Sequence, residues 1–272
     1  MPPPRDLIGY GERPPAFEWP GGSRVAVSLV INVEEGAERA IAPGQATVFD
    51  YGARAGIWRI LRILDRHGVK ATAFCCAMAL EANPAIAAAL VGRGYEIADH
   101  GYGWDAHAGL SAEAERELIV ASRDSIAATT GARPTSWYSK DGLNPHTRGV
   151  LVEEGFAYES NSFNDDLPHW GADGARFPVL PYSGDTNDAG LMSQFPTGQA
   201  FADHLIGCLD LQLEDPRQGP SVMSVGLHPR IIGRPAYAGA LDRFLGHATS
   251  RGAWIATRHE IVEAWLRRAA RT

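Results

Sequence analysis

Apolar and polar positions alternate along this chain in a way that predicts strands and helices in turn. Continuous apolar runs, which are typical of strands buried on both faces, occupy residues 25–33, 71–76, 177–180 and 222–227. Apolar residues recur at helical spacing over 54–68, 111–131, 197–215 and 236–251. This alternation over the whole length predicts an α/β fold, with outer helices around a parallel sheet that is closed or nearly closed as a barrel.

Two stretches lack a clear period. Residues 1–24 are rich in Pro and Gly, and we expect an irregular arm that lies on the surface or on a neighbouring subunit. Residues 36–50 predict a loop, and loops of this length near a site often carry function. No repeat, low-complexity segment or linker divides residues 25–272, so we expect one barrel domain there.

Polar side chains collect near the ends of the strand-like runs. Glu34 and Glu35 close the first run, and neighbours on an extended segment point to opposite sides, so the two carboxylates face different environments. Comparable polar groups occur at Asp99-His100, Arg133, Asp165-Asp166, Asp185, Asn187-Asp188 and His228. The carboxyl ends of parallel strands meet at one edge of a sheet, which favours a common site. Loops are polar in any protein, so a solvated strand end is the alternative for each cluster taken alone.

The composition excludes several classes of protein. A formal net charge of −7 gives no footprint for nucleic acid, and no apolar run reaches the roughly 18 residues of a membrane-spanning helix. Residues 1–5 lack the apolar core of a secretion signal. The three cysteines are Cys75, Cys76 and Cys208, an odd number with two adjacent, which indicates a reducing cytoplasm and no disulfide framework. The chain has no Cys/His pattern of the kind that predicts a structural zinc site.

Six segments, in the same order and at suitable spacing, resemble the motifs of the polysaccharide-deacetylase superfamily, also called carbohydrate esterase family 4 or NodB-like proteins. They lie at 32–36, 100–104, 133–138, 164–170, 185–188 and 226–235. Within the superfamily the resemblance is to the branch of the cofactor-independent, PuuE-type allantoinases, and it covers nearly the whole chain. It implies a deformed (β/α) barrel, usually of seven strands, and a hydrolase of non-peptide carbon–nitrogen bonds.

The resemblance also implies a base and metal ligands. The deacetylases have two adjacent aspartates after the first strand, a general base and a metal ligand, and Glu34 and Glu35 stand in those places. Of the family's two metal-binding histidines, His100 keeps one place and Trp104 takes the other, where an indole cannot ligate a metal. A catalytic zinc normally has three protein ligands, so no cofactor is favoured. If zinc or another divalent metal is bound, its ligands are Glu35 and His100, with His107 as a weaker candidate.

Two further residues match catalytic places of the family. His228 stands in the place of its catalytic histidine, and we expect it to act as general acid or to hold the developing oxyanion. A capped strand end is the alternative for His228. Arg133 stands in the place of the arginine that orients the catalytic acid, and here it either does that or holds a substrate carbonyl.

Aromatic residues near these places favour a small closed pocket over an open groove. They are Trp104, Trp137, Tyr138 and Trp170. Polar partners for a ureide or imide edge are expected at Asp165, Asp166, Asn187 and Asp188. Such a pocket fits a cyclic amide, ureide or imide better than a sugar polymer. Residues 139–141 read Ser-Lys-Asp where the allantoinases have Thr-Gly-Arg, and because lysine cannot reproduce a bidentate arginine contact, the substrate need not be allantoin.

The leading hypothesis is ring-opening hydrolysis of a small cyclic amide, ureide or imide, with catalytic residues Glu34, Glu35, His228 and Arg133. The first alternative is a zinc-dependent N-deacetylase of a sugar or peptidoglycan fragment. The second is an inactive barrel that serves as a binding subunit. We expect a small-molecule substrate, neither a nucleic-acid nor a membrane partner, and a cytoplasmic location; the resemblance implies a homotetramer.

Overall fold

Strands and helices alternate in the computed structural model, which describes residues 5–12, 14–172, 176–191, 195, 197–214 and 219–269. The strands are β1 Val25–Val33, β2 Thr72–Cys75, β3 Glu96–Asp99, β4 Ser136–Trp137, β5 Tyr158–Glu159, β6 His169–Trp170, β7 Pro178–Val179, β8 Ser221–Leu227 and β9 Trp254–Ile255. The helices are α1 Pro43–Tyr51, α2 Ile57–His67, α3 Ala77–Ala82, α4 Pro84–Gly92, α5 Ala112–Thr130, α6 Thr147–Glu153, α7 Asp188–Leu191, α8 Gly198–Glu214, α9 Pro235–Ser250 and α10 Arg258–Ala269. None of the described helices is long and apolar enough to cross a bilayer.

The chain folds into two compact units. The first comprises Met1–Gly9, Val33–Ala46 and Ala73–Tyr182, and the second comprises Tyr10–Asn32, Thr47–Thr72 and Ser183–Thr272. In the first unit the strand order is β6-β7-β5-β4-β3-β2, in which β3, β4, β5 and β7 pair in parallel and β6 is antiparallel to β7. In the second unit β1 pairs in parallel with β8 and with β9. The arm over 1–24 and the single domain over 25–272 stay predictions.

Local signals in the sequence account for the best-predicted elements. All nine residues of β1 are buried, as its mainly apolar run predicts. Helix α5 begins after Ser111, whose hydroxyl accepts a hydrogen bond from the backbone nitrogen of Ala114 at 3.2 Å. The same helix ends at Gly131, and α2 ends at Gly68; both glycines have the positive φ of a helix C-cap, +77° and +63°. These two helices flank the chain segments that lead into β4 and β2.

Three short elements depart from the predictions. The loop expected over 36–50 contains helix α1, which starts at Pro43, a residue favoured in the first helical turn. Helix α3 follows β2 after one residue, and its mainly apolar sequence merges with the run of β2, so no period separates the two. Strand β6 has only two residues and pairs antiparallel, whereas the alternating pattern predicted parallel strands throughout.

Trp19 of the N-terminal arm packs on its own chain, whereas residues 5–9 and 11–12 are exposed. Trp19 is only 2% exposed, and its indole nitrogen donates a hydrogen bond to the carbonyl of Ser221 at 3.0 Å. Its ring stacks on Trp254, with centroids 5.8 Å apart. The indole is thus satisfied where the arm crosses β8 and β9, which is the condition for burying a tryptophan.

The loop after β8 lies against the π-helical segment Gly52–Gly56 that leads into α2. A Cβ atom on Gly56 would lie 2.0 Å from the carbonyl oxygen of Pro229, and one on Gly233 would lie 2.2 Å from the same oxygen. Both positions therefore need glycine because the backbones approach too closely for any side chain. This contact fixes the loop that begins with His228.

We predict that Gly56→Ala destabilises the protein by about 3 kcal/mol or more, because the added methyl overlaps a backbone carbonyl that cannot move alone. Gly239→Ala is the matched control: Gly239 is also helical, and its added Cβ meets nothing within 4 Å. The control is expected to gain up to about 1 kcal/mol from helix propensity. Urea unfolding of both variants measures the difference, and equal stability would contradict the close approach.

Candidate active site

The end of β1 carries two buried carboxylates. Glu34 is 2% exposed and Glu35 is 5% exposed. The chain turns directly after them, where the backbone nitrogen of Ala37 donates to the carbonyl of Glu34 at 2.9 Å. Gly36 has φ +97° in this turn, a conformation that favours glycine. Burying carboxylates costs free energy unless polar partners hold them, so two buried acids here indicate a functional site and not a solvated strand end.

Glu34 contacts His100, which follows β3. The Nε2 atom of His100 lies 3.3 Å from Oε1 of Glu34, and its Nδ1 atom lies 2.9 Å from the carbonyl oxygen of Tyr138. A carbonyl only accepts, so Nδ1 carries a proton. The contact with Glu34 then needs one further proton, shared between an imidazole and a carboxylate. The pair can therefore take up or release a proton inside a buried site.

An aromatic wall stands beside this pair. The ring of Tyr138 lies 5.0 Å from that of His100 and 4.8 Å from that of Phe74, with which it stacks. Tyr182 contacts both Tyr138 and Phe74, at 5.2 and 5.5 Å. Tyr138 and Phe74 stack and Tyr182 meets both edge-on, so the three rings form an aromatic cluster next to the acid–base pair.

Trp137, a predicted pocket residue, faces away from this wall. It is fully buried in an apolar cluster with Ile119, Val150, Leu151, Phe156 and Phe177. Neighbours on a strand point to opposite faces, so Tyr138 takes the side of His100 and Trp137 takes the side of α5 and α6. Trp104, a second predicted tryptophan of the pocket, is partly buried in the loop after His100, and its backbone nitrogen donates to the carbonyl of Ala37 at 3.0 Å.

Arg133 lies outside this cluster. It precedes β4, at the amino end of the strand, whereas Tyr138 follows the carboxyl end. The side chain is exposed, and its guanidinium donates to the carbonyl of Glu154 near the end of α6. This contact holds α6 in place and gives no support for the predicted catalytic role.

Asp165 and Asp166 lie in the loop that follows β5. Asp165 is partly buried, and one of its oxygens accepts from the backbone nitrogen of Leu167 at 3.1 Å. Its second oxygen faces Gly9 of the N-terminal segment, where an added Cβ would lie 3.1 Å away. Asp166 is exposed. Trp170 is partly buried in β6 and has Arg176 over its ring at 5.1 Å.

His107, the weaker metal candidate, belongs to a separate buried network. Its Nδ1 atom lies 3.2 Å from Glu115 on α5, and both residues are almost completely buried. Glu115 also accepts from Thr147 at 2.8 Å and from Asn144 at 3.1 Å. Burial raises the pKa of Glu115, but the hydrogen bonds from His107, Thr147 and Asn144 outweigh it and lower the pKa. His107 is thus tied to a carboxylate that anchors the start of α6.

The residues present do not fit a catalytic metal. Across the residues that the structure describes, no three His, Cys, Asp or Glu side chains come together as a ligand set. Trp104, which the resemblance implies stands in a ligand place, offers only an N–H donor. A catalytic zinc normally takes three protein ligands, which this donor set does not supply.

The second unit contains a dyad of its own, formed by Asp188 and His228. Asp188 is fully buried, and Nδ1 of His228 donates to it at 2.6 Å. Its other oxygen accepts from the backbone nitrogens of His228 and Ile232, at 2.8 and 3.2 Å. The carboxylate therefore fixes the orientation and tautomer of the imidazole, so proton exchange runs through Nε2. Asn187, beside it, is bridged to Gly226 of β8.

Asp188 was predicted from sequence to contact substrate, but both of its oxygens serve His228 and the backbone around it. The same hydrogen bonds indicate a positioning residue. The sequence showed an acid in the loop after a strand but not its partner, which lies 40 residues away.

Asp99 is a site residue that sequence reasoning named only as part of a cluster. It is fully buried, and its Oδ1 atom accepts from the Ser122 hydroxyl at 2.6 Å and the Gly101 nitrogen at 2.9 Å. Burial raises the pKa of Asp99 to about 7, against the effect of these two hydrogen bonds. The residue fixes the turn that directly follows His100 and ties it to α5. The Asp-x-Gly spacing is the signal that points to such a turn.

Comparisons with known proteins agree with this fold and extend the argument. A family model described as polysaccharide deacetylase matches residues 43–152. A protein of Schizosaccharomyces pombe assigned to the polysaccharide deacetylases is 31% identical over 96% of both chains. The crystal structure of a Pseudomonas aeruginosa PAO1 protein with the same assignment is 37% identical and superposes with a TM-score of 0.91, over 97% of this chain and 98% of that one.

A crystal structure of PuuE allantoinase is similar to nearly the same degree. It is 35% identical, has a TM-score of 0.90, and covers 97% of this chain and 98% of its own. These matches confirm the predicted α/β fold of the deformed (β/α)-barrel type. They place deacetylases and an allantoinase at similar distances from this chain.

We predict that Asp99→Asn changes how stability depends on pH. The folded-state pKa of about 7 is raised above the ordinary value of 3.8, so the folded protein holds a proton that the unfolded chain releases between these pH values. Stability of the wild type therefore falls as pH rises from about 4 to 7, by an amount on the order of a few kcal/mol. The asparagine variant lacks this fall because it does not titrate.

Urea unfolding between pH 5 and 8 measures the two slopes. Asp203→Asn, at a side chain that is 56% exposed, is the control and is expected to keep the wild-type slope. The same slope in Asp99→Asn as in the wild type would contradict the assignment.

Proposed function

Because the chain belongs to the polysaccharide-deacetylase family, we propose that this family hydrolase opens a small cyclic amide, ureide or imide by adding water across a carbon–nitrogen bond. The observation that carries the proposal is the buried Glu34–His100 pair beside the wall of Phe74, Tyr138 and Tyr182. A pair that shares one proton supplies both a base and an acid, and aromatic side chains next to it suit a flat ring.

Glu34 is the general base of the proposed reaction. Its carboxylate takes a proton from a water molecule, and the water oxygen forms a bond to the carbonyl carbon of the ring. The carbon–nitrogen bond then breaks, and the nitrogen takes up a proton from the Glu34–His100 pair. Acid–base catalysis of this kind contributes about 10²–10⁴-fold to a rate. The fixed Nδ1–H bond of His100 to Tyr138 keeps its Nε2 directed at Glu34.

The dyad of the second unit has its own role in the proposal. Asp188 holds the imidazole of His228 in one tautomer, which is how a carboxylate prepares a histidine for acid or oxyanion duty. The general-acid or oxyanion duty of His228 stays a prediction, and we assign to Asp188 the positioning of its imidazole. Glu35, buried next to Glu34, stays a predicted catalytic residue.

The second candidate function is N-deacetylation of a sugar or peptidoglycan fragment with zinc. Relatives assigned as polysaccharide deacetylases support it to the same degree as the allantoinase supports ring opening. The ligand place taken by Trp104 favours ring opening, since zinc chemistry needs a third ligand. An inactive binding subunit would not need two buried acid–base pairs. The homotetramer and the cytoplasmic location stay predictions.

We predict that Glu34→Gln lowers kcat for ring opening by about 10²–10⁴-fold, because the amide keeps the shape of the side chain and loses the base. Glu113→Gln, at an exposed position of α5, is the matched control and is expected to keep the wild-type rate. Ring opening is followed by absorbance on a panel of succinimide, hydantoin and allantoin, with release of acetate from N-acetylglucosamine oligomers measured in parallel.

Acetate release without ring opening would transfer the proposal to the deacetylase candidate. Glu35→Gln and His228→Ala belong in the same assay and are each expected to abolish turnover. Full activity in Glu34→Gln would contradict the role of the pair.

A further inference from the structure

Lysine is rare in this chain, and one of its two lysines contacts Trp104 in the loop that follows His100. Of 25 basic residues only Lys70 and Lys140 are lysines. The Nζ atom of Lys140 lies 4.1 Å from the ring centroid of Trp104, a cation–π contact. Both side chains are partly buried.

The backbone directs Lys140 to the side of His100. Tyr138 packs its ring against His100, and residues two apart on an extended segment point to the same side. Lys140 forms a parallel bridge with Ala106, so the segment is extended at this point. Trp104, whose ring lies under the Lys140 ammonium, follows His100 by four residues in the same loop.

Hydrogen bonds of the preceding residue, Ser139, hold Lys140 in position. Ser139, on the opposite side, is 1% exposed; its nitrogen donates to Asn161 at 3.0 Å and its carbonyl accepts from Asn161 at 2.6 Å. Directly after Lys140 the chain turns through Asp141, whose φ of +61° is rare for a residue other than glycine. Such conformations persist only where the surroundings hold them, and they cluster at ligand-binding segments.

The charge of Lys140 has no carboxylate partner within the described part of the chain, where the ammonium lies over the ring of Trp104. The nearby acid Asp105 is paired with Arg39 at 2.6 Å. An indole face stabilises an ammonium but accepts none of its hydrogen bonds in the way a carboxylate does. The three N–H donors are therefore suited to an anionic group brought by a ligand.

We propose that Lys140 is a specificity-determining residue that binds a carboxylate carried by the substrate. The substrate class is then a small cyclic amide, ureide or imide that bears a carboxylate. The buried Glu34 and Glu35 would repel such an anion, and the Lys140 ammonium over the Trp104 ring offsets this repulsion. This inference rests on the proposed ring opening and narrows its substrate.

The first test compares matched rings with and without a carboxylate, such as hydantoin and hydantoin-5-acetate. The wild type is expected to favour the carboxylated ring in kcat/KM, and Lys140→Met is expected to lower the ratio of the two values by at least about tenfold, through KM. Lys140→Arg is expected to restore part of the ratio because it keeps the charge, and Lys70→Met is expected to keep it whole. An unchanged ratio in Lys140→Met overturns the inference.

The second test does not depend on turnover. A lysine-selective acylating reagent modifies Lys70 and Lys140, and mass spectrometry reports each separately because the chain has no other lysine. The carboxylated ring is expected to protect Lys140 and not Lys70, and the neutral ring to protect neither. Protection without turnover of any ring would sink the proposed function and leave the carboxylate site standing. Turnover of a ring without protection of Lys140 would support the proposed function and overturn the carboxylate site.

Discussion

The buried contact between Glu34 and His100 is the constraint on which the first unit depends. A carboxylate and an imidazole taken out of water are costly unless each finds a partner, and here they find each other across 66 residues of chain. Everything around them keeps this partnership in place: the turn at Gly36 after β1, the carbonyl of Tyr138 on the second nitrogen, and the Asp99 carboxylate that fixes the turn after His100. A site whose acid and base share one proton has to be rigid, because a small displacement would leave two buried groups unsatisfied.

Strand alternation divides the work of this unit between its two faces. Asp99 and Trp137 face α5 and α6, where they tie loops to helices and fill the core, and their neighbours His100 and Tyr138 face the site. Lys140 lies two residues after Tyr138 on the extended segment that follows β4, so it points to the same side as Tyr138. The second unit contains one dyad, in which the fully buried Asp188 accepts hydrogen bonds through both oxygens from His228 and the loop that begins there. Close packing of Gly56 and Gly233 on Pro229 holds that loop.

Sequence alone predicted what depends on local pattern and missed what depends on register. The apolar run of β1, the Ser111 cap and the glycine ends of α2 and α5 are local signals, and the structure follows them. The short helix α3 and the two-residue β6 have too few residues to show a period. For the site, the acids and histidines at strand ends were identifiable, but their partners were not, since these lie 38 to 66 residues away. Trp137 and Arg133 show the limit: their residue types fit a site, and only the face of β4 and its direction reveal that one lies in the core and the other at the opposite end of the strand.

We propose that Glu34 and His100 act on water directly, since Trp104 stands where the resemblance implies a metal ligand. The measurement that tests it most directly is the metal content of the protein, by inductively coupled plasma mass spectrometry, on the same sample whose ring-opening activity is measured before and after dialysis against a chelator. The account predicts that activity persists when the metal content is far below one ion per chain. Activity that disappears on dialysis and returns with stoichiometric zinc would contradict it.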